Sequence, residues 1–183
     1  MQTQLIVSPA KDASVQQFNS VDPAAIKEVL AAKGVSFEQW NLRGEFQPGA
    51  DSEEILTAYS EDISGLQANE GYQAVDVVSL NADNPNIAVL RKKFLTEHTH
   101  AEDEVRYFVA GEGLFYIHLK EEVLLLRCTA GDLIRVPAGT RHWFDTGPEP
   151  AFIAIRLFTD PQGWVAENTG DDIASKFPTL DEI

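Results

Sequence analysis

The sequence predicts a mainly β fold, an antiparallel sandwich or barrel with flanking α-helices, and three observations support it. Short runs of β-branched, aromatic and aliphatic residues follow one another through the second half of the chain, with turn residues between them. No helix-length pattern interrupts these runs. Patterns typical of helices are confined to the first half. The β-like runs are IAVLRKKFL (87–95), VRYFVA (105–110), GLFYIHL (113–119), EVLLLRC (122–128), DLIRVP (132–137), HWFDT (142–146) and AFIAIRLF (151–158).

The first half is predicted to contain two helices and two strands. Asp22 is a suitable N-cap, Pro23 occupies the first turn and Gly34 ends the first helix. Asp51 begins a second helix, whose apolar residues recur at helical spacing and which ends near residues 65–71. The remaining predicted elements are strands over residues 35–42 and 72–80 and a turn over residues 81–86.

We expect a single domain over residues 1–183, because the chain shows no tandem repeat and no low-complexity linker. Within it, residues 1–86 form a mixed layer of helices and strands, and residues 87–158 form the β-barrel core with the candidate site. Residues 159–183 form an acidic C-terminal segment.

Composition and charge disfavour several kinds of partner. The net charge of −15 disfavours nucleic acid, because binding to phosphates needs a basic surface. The N-terminus does not resemble a signal peptide, and no apolar run approaches the length of a membrane span. The single cysteine, Cys128, excludes an internal disulfide and suits a reducing compartment. We therefore expect a cytoplasmic monomer without a nucleic-acid or membrane partner.

Three of the four histidines form a pattern typical of a metal site. His98 and His100 are two residues apart, so on a β-strand both imidazoles lie on one face. Glu104 has the same parity, and His142 follows on another short strand. Three imidazoles and one carboxylate suit iron, nickel, manganese or cobalt. On a six-coordinate metal these four ligands leave two positions free for a substrate.

The residues that precede His142 strengthen the prediction of a metal site. An isolated HxH is more often a solvated turn than a metal site. Here, however, Gly131, Pro137 and Gly139 precede His142 at spacings that predict a hairpin turn followed by a ligand. His118 lies outside the pattern, and we expect it to be a surface or packed strand residue.

The two motifs resemble those of the cupin superfamily. HxHxxxExxxxxxG at residues 98–111 and GxxxxxPxGxxH at residues 131–142 are similar to the family's metal motifs. The chain departs from the common pattern at Lys92, where glycine is usual, and at Thr146, where asparagine is frequent. Neither position is a ligand, and the departures argue against the germin and oxalate branch. The resemblance implies a cupin-type, jelly-roll-like barrel.

A narrower resemblance is to the acireductone dioxygenase family of methionine salvage. FLTEHTHAEDEVRYFVAGEGLFYIHL, AGDLIRVPAGTRHWFD and FTDPQGWVA carry it, and it covers most of the chain. It implies cleavage of 1,2-dihydroxy-5-(methylthio)pent-1-en-3-one by dioxygen with one Fe²⁺ or Ni²⁺ per chain. The iron form of the family yields 4-methylthio-2-oxobutanoate and formate. The nickel form yields 3-methylthiopropanoate, formate and carbon monoxide.

Two arginines are candidates for binding a negatively charged substrate. Arg106 shares the parity of the candidate ligands and is predicted to stabilise a negative oxygen of the substrate, with a surface ion pair to Glu102 as the alternative. Arg156 is opposite in parity to its apolar neighbours. It faces either solvent or the pocket, and the family resemblance favours the pocket. Either arginine needs a partner or a substrate if it is buried.

Three aromatic residues are predicted to line a substrate pocket. Phe94 and Phe144 share parity with His98 and His142 and would pack on a thioether tail or simply belong to the core. Trp164 either covers the mouth or anchors the C-terminal segment.

Two other functions remain open on the residues alone. One is a metal-dependent cupin isomerase of sugars, which would not consume oxygen, and the other is a non-catalytic cupin that binds a small molecule. A separate general base is hard to identify, and Glu97 and Glu102 are the only candidates near the motif.

Overall fold

A computed structural model of the chain describes residues 2–160, 162 and 165–183. No helix in these ranges has the length and apolar character needed to cross a membrane. The strands in these ranges are β1 (Gln4–Pro9), β2 (Phe18–Ser20), β3 (Ser36–Gln39), β4 (Ala74–Leu80), β5 (His98–Thr99), β6 (Glu104–Leu119), β7 (Glu122–Thr129), β8 (Asp132–Val136), β9 (Arg141–Asp145), β10 (Phe152–Phe158) and β11 (Glu167–Asn168). The α-helices there are α1 (Pro23–Ala32), α2 (Ser52–Ala58), α3 (Ser60–Glu70) and α4 (Ile87–Phe94).

Two antiparallel sheets share the long strand β6. One sheet has the order β11-β5-β9-β6-β7-β1-β2. In the other, β6 lies between β8 and β10, which pair onward with β3 and β4. Among the described strands the two sheets wrap around a common core without closing into a continuous barrel. The mainly β, cupin-like fold predicted from the sequence is thus confirmed, and strands from the first half complete both sheets.

A left-handed glycine allows β6 to belong to both sheets. Gly111 has a φ of +70°, which disfavours other residues, and a Cβ there would lie 1.8 Å from the carbonyl oxygen of Ala151. Residues 104–107 pair with β8, and residues 112–119 pair with β7. The two strands predicted on either side of this glycine are therefore one bent strand.

Alternation along β10 separates the inner face of the sheet from its outer face. Phe152 and Ala154 belong to the core between the sheets. Ile153, Ile155 and Leu157 pack instead in the cluster that contains apolar residues of α2 and α3. The alternation explains why a charged residue at position 156 faces inward, toward the site described below.

One predicted strand is wrong. Residues 87–95 were expected to be β, with no helix between residues 87 and 158, but Ile87–Phe94 is the helix α4. The β-branched Ile87 and Val89 favoured a strand. The basic triplet at residues 91–93 lies in the last turn of the helix, where positive charge stabilises the helix dipole. None of the residues in α4 is fully buried, so the helix forms a cover over the sheets.

The helices of the first half largely follow the prediction. Asp22 caps α1 by accepting hydrogen bonds from the backbone N–H groups of Ala24 and Ala25. The predicted second helix is two helices, α2 and α3, which meet at Tyr59. The buried side chain of Tyr59 accepts a hydrogen bond from the backbone N–H of Arg43, which holds the preceding loop against this junction.

Candidate metal centre

Three imidazoles meet where β5 and β9 pair. His98 on β5 lies directly opposite His142 on β9, and His100 follows β5 by one residue. The ring centroid of His98 lies 4.5 Å from that of His142 and 5.3 Å from that of His100. The three side chains are buried, and a ligand atom from each lies within 4.8 Å of the other two. This cluster can hold one metal ion.

Backbone carbonyl groups orient all three rings in the same sense. The Nδ1 atom of each imidazole lies within hydrogen-bond distance of a carbonyl oxygen: Thr96 for His98 (2.7 Å), Val165 for His100 (3.1 Å) and Thr140 for His142 (2.8 Å). A carbonyl oxygen can only accept, so Nδ1 carries the proton in each ring. The Nε2 lone pair is therefore free to bind a metal.

The carboxylate of Glu104 completes the set of four candidate ligands. Its Oε2 atom lies 3.6 Å from Nε2 of His100 and 3.5 Å from Nε2 of His142. These distances are too long for hydrogen bonds. Two ligand atoms each about 2.1 Å from one metal lie about 3 Å apart at a right angle and farther apart at wider angles. The spacing therefore fits two ligands of a shared ion.

Two buried atoms at this point lack any partner among the described residues. They are Oε2 of Glu104 and Nε2 of His142. Buried polar atoms are nearly always hydrogen-bonded, because leaving one unsatisfied costs about 1 to 3 kcal/mol. A divalent cation between the two atoms would satisfy both, so the donor set fits a metal.

The protonation states also suit metal binding. Burial, together with the neighbouring His142, lowers the pKa of His98 to about 4, and burial also lowers the pKa of His100. For Glu104, burial alone would raise the pKa, but the positive charge of Arg106 and the neighbouring imidazoles of His142 and His100 together keep the pKa well below the ordinary value. Two neutral imidazoles and a carboxylate are therefore present at neutral pH, which are the forms that bind metals.

The three candidate histidine ligands lie in the wall of a cavity of about 400 Å³. Its polar lining includes His98, His100, His142 and two arginines. Its apolar lining consists of Val77, Val78, Leu80, Leu90, Phe94, Phe144 and Ala166. A small ligand with a charged head and an apolar tail matches this mixed lining.

Both predicted arginines line the cavity. Arg106 on β6 pairs in register with Arg156 on β10. The Nε and Nη2 atoms of Arg106 donate to Oε1 of Glu104 over 3.2 and 2.7 Å, and its guanidinium lies 4.6 Å from the centre of the Phe144 ring. Arg156 donates from Nε and Nη2 to Asp76, over 2.9 and 2.5 Å. The alternative ion pair of Arg106 with Glu102 is not formed.

The structure brings together two of the three predicted pocket aromatics. The rings of Phe94 and Phe144 lie 6.3 Å apart and both line the cavity. The parity argument for Phe94 was wrong, because Phe94 lies on helix α4 and not on a strand. Trp164 lies outside the described residues.

Glu97, Glu102 and His118 bind partners outside the cavity. Glu97 accepts from Thr169 and lies 2.6 Å from Nδ1 of His118, which is buried. His118 is thus a packed strand histidine, as expected. Glu102 accepts from the hydroxyl group of Thr159. Neither of these two carboxylates lines the cavity, so neither is placed to act as a general base there.

Sequence reasoning missed the contribution of β4 and α4 to the site. Asp76 is the partner of Arg156, and Lys93 and Ser79 also line the cavity. The strand predicted over residues 72–80 is correct, but its pairing with β10 is a long-range contact that no local pattern reveals.

Comparison with known proteins gives consistent matches. Residues 5–166 match the model of the ARD/ARD′ family. An acireductone dioxygenase of Parasynechococcus marenigrum is 54% identical over 160 residues, which cover 87% of this chain and 86% of that one. One from Pseudomonas aeruginosa is 55% identical over 157 residues, covering 86% and 87%. One from Citrobacter koseri is 52% identical over 176 residues, covering 96% and 98%.

A solved structure shares the same architecture. It is an acireductone dioxygenase from Bacillus anthracis with a cadmium ion in its active centre. Its TM-score to this chain is 0.79, with 31% sequence identity, and the match covers 91% of this chain and 98% of that one.

Proposed function

This chain belongs to the acireductone dioxygenase family, and we propose that it cleaves 1,2-dihydroxy-5-(methylthio)pent-1-en-3-one with dioxygen. The observation that carries the proposal is the convergence of three imidazoles in the wall of a cavity that is also lined by two arginines and apolar side chains, with the unpaired Oε2 of Glu104 within 3.6 Å of two of these imidazoles. Family membership favours a dioxygenase over a sugar isomerase or a non-catalytic binding protein.

We infer one divalent metal per chain, held by His98, His100, Glu104 and His142. The related Bacillus anthracis protein, with a cadmium ion in its active centre, supports a single ion. Iron and nickel both suit three imidazoles and a carboxylate. In our proposal the iron form releases 4-methylthio-2-oxobutanoate and formate, and the nickel form releases 3-methylthiopropanoate, formate and carbon monoxide.

These four residues would hold a divalent metal, which would supply Lewis acidity to a chelating enediolate. The residues of the chain provide the rest of the site. Arg106 and Arg156 bind the negative oxygens of the substrate through charge-assisted hydrogen bonds. Arg106 also holds Glu104 in its ionised form, since the two side chains share two hydrogen bonds.

The apolar residues of the cavity bind the tail of the substrate. Phe94 and Phe144 present their rings to the methylthio group, because contacts between sulfur and aromatic rings are favourable. Leu80 and Leu90 complete a dry surface around the tail. The tail thereby fixes the orientation of the enediol head toward His98, His100 and His142.

Oxygen uptake tests this proposal directly. Protein loaded with iron is given freshly generated acireductone, beside metal-stripped protein, because the substrate oxidises slowly without a catalyst. Uptake well above this control, with release of formate, is the expected result. Uptake equal to the control, with bound iron confirmed, would overturn the assignment. The same assay with nickel-loaded protein is expected to release carbon monoxide.

We further propose that the protein acts as a cytoplasmic monomer. A net charge of −15 makes copies of the chain repel one another, which favours a monomer. The only cysteine, Cys128, is buried as a free thiol, which suits a reducing compartment. Light scattering after size-exclusion chromatography should return a mass near 20.2 kDa, and a mass of twice that would contradict the proposal.

A further inference from the structure

A row of four charged side chains leads from solvent to the candidate metal ligands. Asp76, Arg156 and Arg106 occupy neighbouring strands in register, and Glu104 lies two residues along β6 from Arg106. Their side chains become steadily less exposed along the row: 49% for Asp76, 17% for Arg156, 8% for Arg106 and 1% for Glu104. The signs are negative, positive, positive and negative.

Each arginine in the row uses the same edge of its guanidinium group to bind a carboxylate. Nε and Nη2 of Arg106 bind Glu104, and Nε and Nη2 of Arg156 bind Asp76. The Nη1 atom of each has no acceptor among the described residues. A guanidinium group carries five N–H donors in a fixed plane, so the two N–H groups of Nη1 are free to bind a ligand.

Two neighbouring arginines in the wall of one cavity are unfavourable unless their charges are compensated. Arg106 and Arg156 lie directly opposite each other across β6 and β10, where like charges repel. Asp76 compensates Arg156, and Glu104 compensates Arg106. Glu104 is also a candidate metal ligand, but Asp76 is not. The contact that Asp76 makes in this row is its ion pair with Arg156.

We propose that Asp76 is a positioning residue that fixes the guanidinium group of Arg156 so that Nη1 faces the cavity and binds a small anionic ligand. The proposal rests on the proposed function, because the anion is the deprotonated enediol. Asp76 itself remains at the half-exposed end of the row and does not touch the reacting atoms. It therefore acts through Arg156 on the binding of the substrate and not on the oxygen step.

The substitution Asp76→Asn tests this role, and the exposed pair of Arg43 and Asp62 offers a matched control. Asp62 also binds an arginine through two oxygens, each over 2.8 Å, but that pair involves none of the residues that line the cavity. We expect D76N to raise KM for acireductone about tenfold, the effect of one charge-assisted hydrogen bond, with kcat changed less than about twofold. D62N should change neither constant, and D76E should restore most of the affinity.

A second measurement does not depend on turnover. Phenylglyoxal modifies accessible guanidinium groups, and peptide mass spectrometry locates the modified residue. Arg156 should be modified several times faster in D76N than in the native protein, and at the native rate in D62N. Metal content should be equal in all variants, which separates this effect from loss of the metal.

The outcomes separate the two proposals. A native protein that consumes no oxygen with acireductone, while Arg156 is labelled faster in D76N, overturns the proposed function and leaves the positioning role intact. A lower KM in D76N would show that Asp76 competes with the substrate for Arg156 and would overturn the positioning role. Equal labelling of Arg156 in D76N and native protein would also overturn it.

Discussion

Arg91 on α4 and Asp145 on β9 form a bidentate ion pair. Nε of Arg91 donates to one carboxylate oxygen over 2.7 Å and Nη2 donates to the other over 3.0 Å. The same carboxylate, which is completely buried, accepts from the backbone N–H of Leu180. Because β9 also carries His142 and α4 carries Phe94, this pair joins a candidate ligand strand to the helix that walls the cavity.

Substitution of Arg91 by methionine should lower the free energy of unfolding by about 3 kcal/mol, because it leaves a buried carboxylate without its cation. Urea denaturation of the metal-free protein measures the loss. As a control, Arg43→Met removes an exposed ion pair and should cost less than about 1 kcal/mol. Equal losses in the two variants would show that the buried pair contributes no more than a surface one.

The effect of R91M should also depend on pH. Burial alone would raise the pKa of Asp145, but hydrogen bonds from Arg91 and from the backbone N–H groups of Leu180 and Gly147 lower it below the ordinary value. A carboxylate with a lowered pKa stabilises the fold above its unfolded pKa, and this contribution is lost as pH falls through the folded pKa. The difference between native protein and R91M should therefore be full at pH 7 and shrink below about pH 4.

Substitution of Glu104 by alanine should abolish retention of the metal. It removes the only carboxylate among the four candidate ligands and leaves Arg106 beside three imidazoles. We expect the affinity for the metal to fall by more than about a hundredfold. Competition with a chromophoric chelator measures this, and E102Q is the control, since Glu102 binds only Thr159 among the described residues. Normal affinity in E104A would remove Glu104 from the ligand set.

Much of this site was predictable because its pattern is local. The spacing of His98, His100 and Glu104, and the turn before His142, indicate a metal site without knowledge of the fold. The argument that His98 and His100 lie on one face of a strand holds only in part, because β5 is two residues long and His100 lies just beyond its end. What brings His142 to His98 is the pairing of β5 with β9, and the sequence carries no local signal for that register.

The errors arose where tertiary contacts decide the structure. Residues 87–94 contain the β-branched Ile87 and Val89, so local preference favoured a strand, yet they form a helix over the cavity. Gly111 resembled a break between strands, but its positive φ bends one strand that continues. Asp76 and Arg156 are 80 residues apart, so only the pairing of β4 with β10 reveals their ion pair.

A glycine on β6 makes room for an aromatic wall of the cavity. A Cβ at Gly113 would lie 2.2 Å from Cζ of Phe144, so G113A should displace that ring and lower the free energy of unfolding by about 2 kcal/mol. The double variant with Phe144→Leu should recover about 1 kcal/mol of this loss, which a double-mutant cycle detects. Strictly additive effects would contradict the contact.

The matched control for G113A is Gly65→Ala in α3. A Cβ at Gly65 meets nothing within 4 Å, and alanine favours a helix interior. G65A should therefore leave the free energy of unfolding unchanged or raise it by about 0.5 kcal/mol. Destabilisation of the same size in both variants would mean that loss of a glycine, and not displacement of Phe144, causes the effect.

Phe94 should determine affinity for the tail of the substrate and not for its head. In F94A we expect KM for the methylthio substrate to rise about tenfold, the effect of losing an apolar contact of about 1 to 3 kcal/mol. KM for an enediol without the methylthio group should change less than about threefold, since that substrate has no tail to lose contact. Val89→Ala is the control on the same helix, because Val89 is 70% exposed. An equal rise in KM for both substrates would contradict this prediction. It would mean that Phe94 acts on the enediol head, which is the part that the two substrates share.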